Sequence, residues 1–109
     1  MAGYLVTVYA NRLYRKAVKE AERVHKELGE RIYVASSFRD ISKLIILNRA
    51  KFRLMKRALH IVNHNISNLM EGAWYYTADR AEQHGLSEKE KEARRLAFVH
   101  HMLVRAKLA

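Results

Sequence analysis

SFRDISKLIILNRAKFRLMKRALHIVNHNISNLMEGAWYY, residues Ser37 to Tyr76, is the stretch on which the fold turns. Counted in sevens from Phe38 it gives Phe38, Ile45, Phe52, Leu59, Ile66 and Ala73. Counted from Ile41 it gives Ile41, Asn48, Met55, Val62, Leu69 and Tyr76. That pattern is the a/d seam of a heptad helix, with Asn48 as its polar interruption. The opposite face is basic: between Ile41 and Met70 there are six Lys or Arg and no Asp or Glu. The reading is one long amphipathic helix over about residues 37–72, entered through Ser36 or Ser37 as N-cap with Asp40 three residues after Ser37. Gly72 either ends or kinks it.

On the N-terminal side, Val6, Ala10, Leu13, Ala17, Ala21, Val24 and Leu28 form one stripe at helical spacing. They predict a helix over 4–28 that stops at Gly29. The run Leu5-Val-Thr-Val-Tyr9 is also compatible with a strand, and Ile32, Tyr33 and Val34 with its mate. This gives an α+β alternative with short strands near 4–9 and 31–35. On the C-terminal side, Ser87 and Glu90 make a capping box that opens a helix over 88–107, with Ala93, Leu96, Val99, Leu103 and Ala106 as its core stripe. Lys91, Arg94, His101 and Arg105 are expected to face away. At ~1.5 Å per residue the central helix reaches ~50 Å and the first only ~37 Å, so an apolar overhang is left. The expected architecture is all-α: three to four helices in a hairpin or bundle around the central one, a single helical domain over 1–109. Assembly into a homo-oligomer covers the overhang, and Asn48 sets register in the intersubunit seam.

Composition agrees with a helical chain. There is no proline and only four glycines among 109 residues, so the strongest helix breaker is absent. With no cysteine, disulfides and thiolate metal sites are excluded. Nothing resembles a secretory signal, and no run approaches the ~20 apolar residues of a membrane span. The expected setting is cytoplasmic and nucleoid-associated, or inside a virion, with no membrane partner. The net charge is +10, and residues 31–70 carry eight basic side chains against one acid. Charge of one sign focused on one segment points to a polyanion.

The candidate binding surface is therefore Arg39, Lys43, Arg49, Arg53, Lys56, Arg57, His60 and His64, a cationic ridge along the central helix, with Lys51 flanking the apolar seam on its other side. A rigid helix with a cation on every turn can follow a phosphate backbone without reading bases. Solvated faces normally mix signs, as Glu20, Glu22 and Glu27 do among the lysines of the first helix. His60 and His64 share the spacing of a two-ligand metal half-site, but Lys56 and Arg57 beside them repel a cation, so no metal is expected. Trp74-Tyr75-Tyr76 reads as packing more than as base stacking. No Gly-rich phosphate loop, nucleophile or carboxylate pair is present, so neither cofactor, small-molecule substrate nor catalysis is expected.

Two further motifs, Arg95-Leu-Ala-Phe-Val-His100 and Arg57 with His64, resemble the Arg-x4–6-His signature of HEPN-type helical ribonucleases. That resemblance implies an Arg/His pair cutting RNA at a dimer cleft. Leu96 and Ala58 stand where the family carries a polar residue after the arginine. The leading expectation is a nucleic-acid-binding structural protein without sequence specificity: an architectural, packaging or nucleoprotein subunit. A HEPN-like ribonuclease and a helical adaptor for an acidic protein are the alternatives.

Overall fold

Leu44-Ile-Ile-Leu47, inside the stretch that the heptad count reads as one helix, is a strand. The computed structural model of the chain describes residues 2–37, 40, 43–59 and 65–108. Along it run α1 (Ala2–Leu28), β1 (Tyr33–Ser36), β2 (Leu44–Leu47), α2 (Arg49–Ala58), α3 (Ile66–Gly72), β3 (Tyr75–Tyr76) and α4 (Glu88–Arg105). The protein is mostly helical, as expected, with a small sheet of order β2-β1-β3 in which both pairings are antiparallel. The single long helix over 37–72 is not formed. Ser37 and Asp40, read as its capping box, lie in the β1–β2 connection, where Asp40 N–H points at Ser37 Oγ at 3.4 Å and Ser37 N–H donates to Lys43 O.

The physical reason is the alternation of the strands. Leu44 and Ile46 pack into one apolar cluster with α1 and α4. Ile45 and Leu47 pack into the other, with Phe52 and Met55 of α2 and Ile66 and Leu69 of α3. β1 divides likewise, Val34 to the first cluster and Tyr33 and Ala35 to the second. A two-residue period lets a four-residue run feed two apolar layers, which one helix stripe cannot do. The sheet thus lies between an α1/α4 layer and an α2/α3 layer. The heptad positions Ile45, Phe52, Met55, Ile66, Leu69, Ala73 and Tyr76 do meet, all in the second cluster, but as pieces folded onto one another.

α1 continues through 4–9, so the strand expected there is absent. Thr7 Oγ1 donates to Gly3 O and Asn11 Nδ2 to Thr7 O, which keeps both polar side chains satisfied on the helix. The strand expected near 31–35 is present as β1. Gly29, at φ +68°, ends α1 with its N–H on His25 O, a left-handed position that glycine fills without a Cβ clash. Gly72 is the last residue of α3 and ends it rather than kinking it. Ser87 caps α4 as expected, its Oγ accepting the Glu90 N–H and donating to the Glu90 carboxylate, so Glu90 meets the Ser87 side chain and not its backbone N–H as in the expected capping box.

α4 is turned about its axis from its expected face. Phe98, Val99 and Met102 are its buried residues, while Ala93, Leu96 and Ala106 are exposed. Phe98 stacks edge-on to Trp74 and tilted against Tyr14, and these ring contacts outweigh the aliphatic stripe. Arg94, expected outside, turns inward to donate to Met70 O and Ala73 O, its guanidinium above the Tyr76 ring. Tyr14 Oη donates to Trp74 O, and burial pushes its pKa up to about 12, so the phenol stays neutral. No helix among the described residues is long and apolar enough to cross a membrane.

Candidate nucleic-acid interface

α2 begins where β2 ends. Asn48 is its N-cap: Oδ1 accepts from Lys51 N–H at 2.7 Å, and Nδ2 donates to the Glu30 carboxylate at 2.7 Å. This replaces the role of a polar contact in an intersubunit seam. Phe52 is buried beneath the helix and Met55 packs beside it, which turns the remaining faces outward. At 100° per residue, Arg49, Arg53, Lys56 and Arg57 then fall within an arc of about 100°, next to the buried side. Arg49, Arg53 and Arg57 are exposed, and Lys56 lies half-buried with its ammonium 5.6 Å from the Phe52 ring centre.

None of these four cations pairs with a carboxylate among the described residues. The other helices behave differently. Arg23 binds Glu20 and Glu27 on α1; Arg95 binds Glu92 and Lys91 binds Glu88 on α4. The acid-free ridge therefore persists in three dimensions as a short patch. From Arg49 to Arg57 it runs about 12 Å along the helix axis, the rise of three to four nucleotides in one strand.

Beside the patch a cleft of about 320 Å³ opens between α2 and the start of α3, lined by Arg49, Phe52, Arg53, Lys56, Asn65 and Ile66. Asn65 caps α3 through a reciprocal pair with Asn68. Phe52, Asn65 and Ile66 are the lining residues that sequence reasoning left out of the site, since Phe52 and Ile66 read there only as apolar seam positions. The signal for Asn65 was the Asn-Ile-Ser-Asn capping pattern, hidden inside an apparently continuous helix. Arg49 also lines a second cleft with Glu30, Arg31, Tyr33, Asp79 and Arg80. That one is mixed in charge: Arg80 approaches Glu30 at 3.9 Å, and Arg31 donates to Thr77 O and His84 O beneath the Tyr76 ring.

The other expected site residues do not gather here. Lys43 stands exposed before β2, at the opposite end of that strand from α2, 4.0 Å from Asp40. Lys51 points to the far side of α2, where its ammonium donates to Ile46 O at 3.3 Å. Arg39, His60 and His64 lie outside the described residues, and so does any pairing of His60 with His64 or of Arg57 with His64. Arg95 and His100, the other Arg/His pair, diverge. Arg95 is held by Glu92 and by Asn11 of α1, while His100 is exposed about 140° further around α4. No group of three or more His, Asp or Glu suited to a metal occurs among the described residues. Trp74 and Tyr75 pack as expected: Trp74 Nε1 donates to Ser36 Oγ, and Tyr75 is buried with its hydroxyl on Glu22.

No protein-family model, curated protein or solved structure matches this chain.

Proposed function

We propose that this protein binds nucleic acid through its phosphates, without reading sequence, and acts as a self-associating architectural or packaging subunit. The carrying observation is α2, where Arg49, Arg53, Lys56 and Arg57 project from one side with no carboxylate partner among the described residues. Phosphates neutralise such a patch and release counterions, which makes affinity depend on salt rather than base sequence. The short rigid helix, anchored by Phe52 below and by Asn48 at its start, holds the cations at a set spacing. That placement supports backbone tracking and offers no side chain aimed to read a base edge. The helical-bundle assembly expected from the sequence enters this reading as self-association, through a surface other than the heptad seam.

The test is a salt titration of binding to mixed-sequence oligonucleotides. Four neutralised phosphates on duplex DNA give a slope of log K against log[salt] near about −3.6. Replacing Arg49, Arg53, Lys56 and Arg57 by glutamine should flatten the slope and lower low-salt affinity at least ~100-fold at ~1 kcal/mol per contact, with helicity unchanged. Undiminished affinity in that variant refutes the assignment.

A further inference from the structure

Two uncharged runs, residues 2–11 and 96–104, contain no Asp, Glu, Lys or Arg, although 29% of the chain is charged. The fold sets them side by side. Along α4, Glu88 and Glu22 both lie near Tyr75, Glu92 lies near Arg15, and Arg95 binds Asn11, so α1 and α4 run antiparallel. The N-terminal third of α1 therefore lies along the C-terminal half of α4. Of the eight large hydrophobic residues that stand exposed among the described residues, six belong to this end: Tyr4, Leu5, Tyr9, Leu96 and Val104 within the two runs, and Leu108 just past the second. Tyr4 and Leu5 are 69% and 67% exposed, on a helix whose opposite side supplies core residues Ala10, Tyr14 and Ala21.

Directions matter as much as exposure. Counted at 100° per residue, Leu5 and Val8 point within about 40° of directly away from the buried side of α1, and His100 and Val104 do the same on α4. The result is an outward-facing two-helix surface of low polarity. Its six large side chains leave on the order of 600 Å² in water, at the top of the range for a monomer's largest apolar patch and close to the ~800 Å² per partner of a stable interface.

We infer that this face docks against the same face of a second copy of the chain, making a four-helix layer across a twofold axis. Charge favours this occupant. A chain of net charge +10 resists self-association unless it meets its copy through a surface whose centre is free of cations, and these runs supply one, with Arg12, Arg105 and Lys107 exposed at its rim. The cationic helix is elsewhere: Asn48, at the start of α2, is tied to Glu30, just beyond the other end of α1. α1 is about 40 Å long in a molecule whose longest dimension is 43 Å, so pairing at its N-terminal end brings no α2 patch into the interface. A face that meets itself must be self-complementary, and an antiparallel helix pair with no charges to match satisfies that condition. The inference rests on the self-association half of the proposed function and stands apart from its phosphate-binding half.

The test is sedimentation equilibrium of the full chain after nuclease treatment and in high salt, where nucleic acid cannot bridge copies. The expected result is a dimer across a wide concentration range. Leu5→Glu and Val104→Glu each place a carboxylate in the interface and should weaken dimerisation by ~30-fold or more, the equivalent of ~2 kcal/mol at an interface centre. Leu96→Lys gives the same test with the opposite charge, should either carboxylate variant fold poorly by circular dichroism. Leu54→Glu, at an exposed position on α2, should leave the dimer intact. A wild-type monomer at every concentration overturns the inference, and so does a dimer unmoved by all three interface variants. A monomer that sediments instead with phosphatidylglycerol vesicles assigns the face to a lipid surface and overturns it too. None of these outcomes depends on the glutamine variant of α2, so the two halves of the function fail separately.

Discussion

Asn48→Ala tests the link between fold and site most directly, because Asn48 both starts α2 and ties it to the end of α1. Its Oδ1 accepts the Lys51 N–H and its Nδ2 donates to Glu30. Loss of an N-cap costs about 1 kcal/mol. The bond to the Glu30 carboxylate adds about 1 kcal/mol, at the low end for a charged partner, because that side chain is 37% exposed and water replaces part of the contact. The sum, ~2 kcal/mol, corresponds to a fall in Tm of ~8 °C for a chain of this size. α2 has ten residues, too few to persist as an isolated helix, so its cations should lose their spacing and nucleic-acid affinity should fall with stability. Thermal unfolding by circular dichroism and fluorescence anisotropy with a labelled oligonucleotide read the two effects. Asn48→Asp separates the contributions, since it keeps the cap while setting a second carboxylate against Glu30; its Tm should lie between the other two. The heptad reading makes a different forecast, that Asn48→Leu changes oligomer size; here it should change stability and leave oligomer size alone. An Asn48→Ala protein with wild-type Tm and affinity would refute the reasoning, because α2 would then owe its start to something other than its cap.

Two other expectations concern the frame that carries the site. Thr77 is buried, with Oγ1 accepting the Ile32 N–H at 2.9 Å and donating to Ala78 O. Thr77→Val should cost ~2 kcal/mol by stranding a buried N–H, seen as a lower urea midpoint at unchanged m, and Thr77→Ser should restore most of it. His25 is buried with Nδ1 2.9 Å from Glu30 O and Nε2 3.0 Å from the Glu82 carboxylate. The carbonyl first, and Glu82 after it, hold the imidazole pKa above its ordinary value against the opposing effect of burial. With the folded pKa raised, the stabilisation is fully present below the unfolded value of about 6.5 and is lost as pH rises through the folded one. Glu82→Gln should therefore lower Tm near about pH 6 and have no effect by about pH 9; a Tm difference that is constant with pH would contradict this.

Much of the local structure is legible in the sequence. The stripe from Val6 to Val24 announces α1, Gly29 its end, and Ser87 with Glu90 the start of α4, because caps and stripes depend on residues within a turn or two of each other. The heptad count from Ile45 to Tyr76 picks out residues that do share a core. What misleads is the geometry drawn from it. A seven-residue recurrence is consistent with one straight helix, yet the same spacing also arises when a strand and two short helices each turn an apolar residue to one layer. The run Leu44–Leu47, apolar at every position, is the sign of a strand buried on both faces. The binding patch suffers in the same way: Lys43 belongs to the ridge on a continuous helix and leaves it once the chain folds at Asn48, whereas Lys51, inside α2, lies about 200° around from Arg49 on either reading.

By itself the sequence determined composition-level and local facts. It specified a proline-free, mostly helical chain, an acid-free cationic segment around α2, and the helix ends set by Gly29 and Ser87. Only the tertiary structure decided which apolar residues face which layer, because that depends on strand pairing between Tyr33–Ser36 and Leu44–Leu47 and on the ring stacking of Trp74 against Phe98. It also decided that residues 2–11 and 96–104 become neighbours. Each run is unremarkable as a segment of helix, and no local pattern relates two stretches some ninety positions apart. Antiparallel packing of α1 on α4 joins them into one uncharged face, since burying Tyr14 and Phe98 against each other leaves the opposite sides of both helices in water.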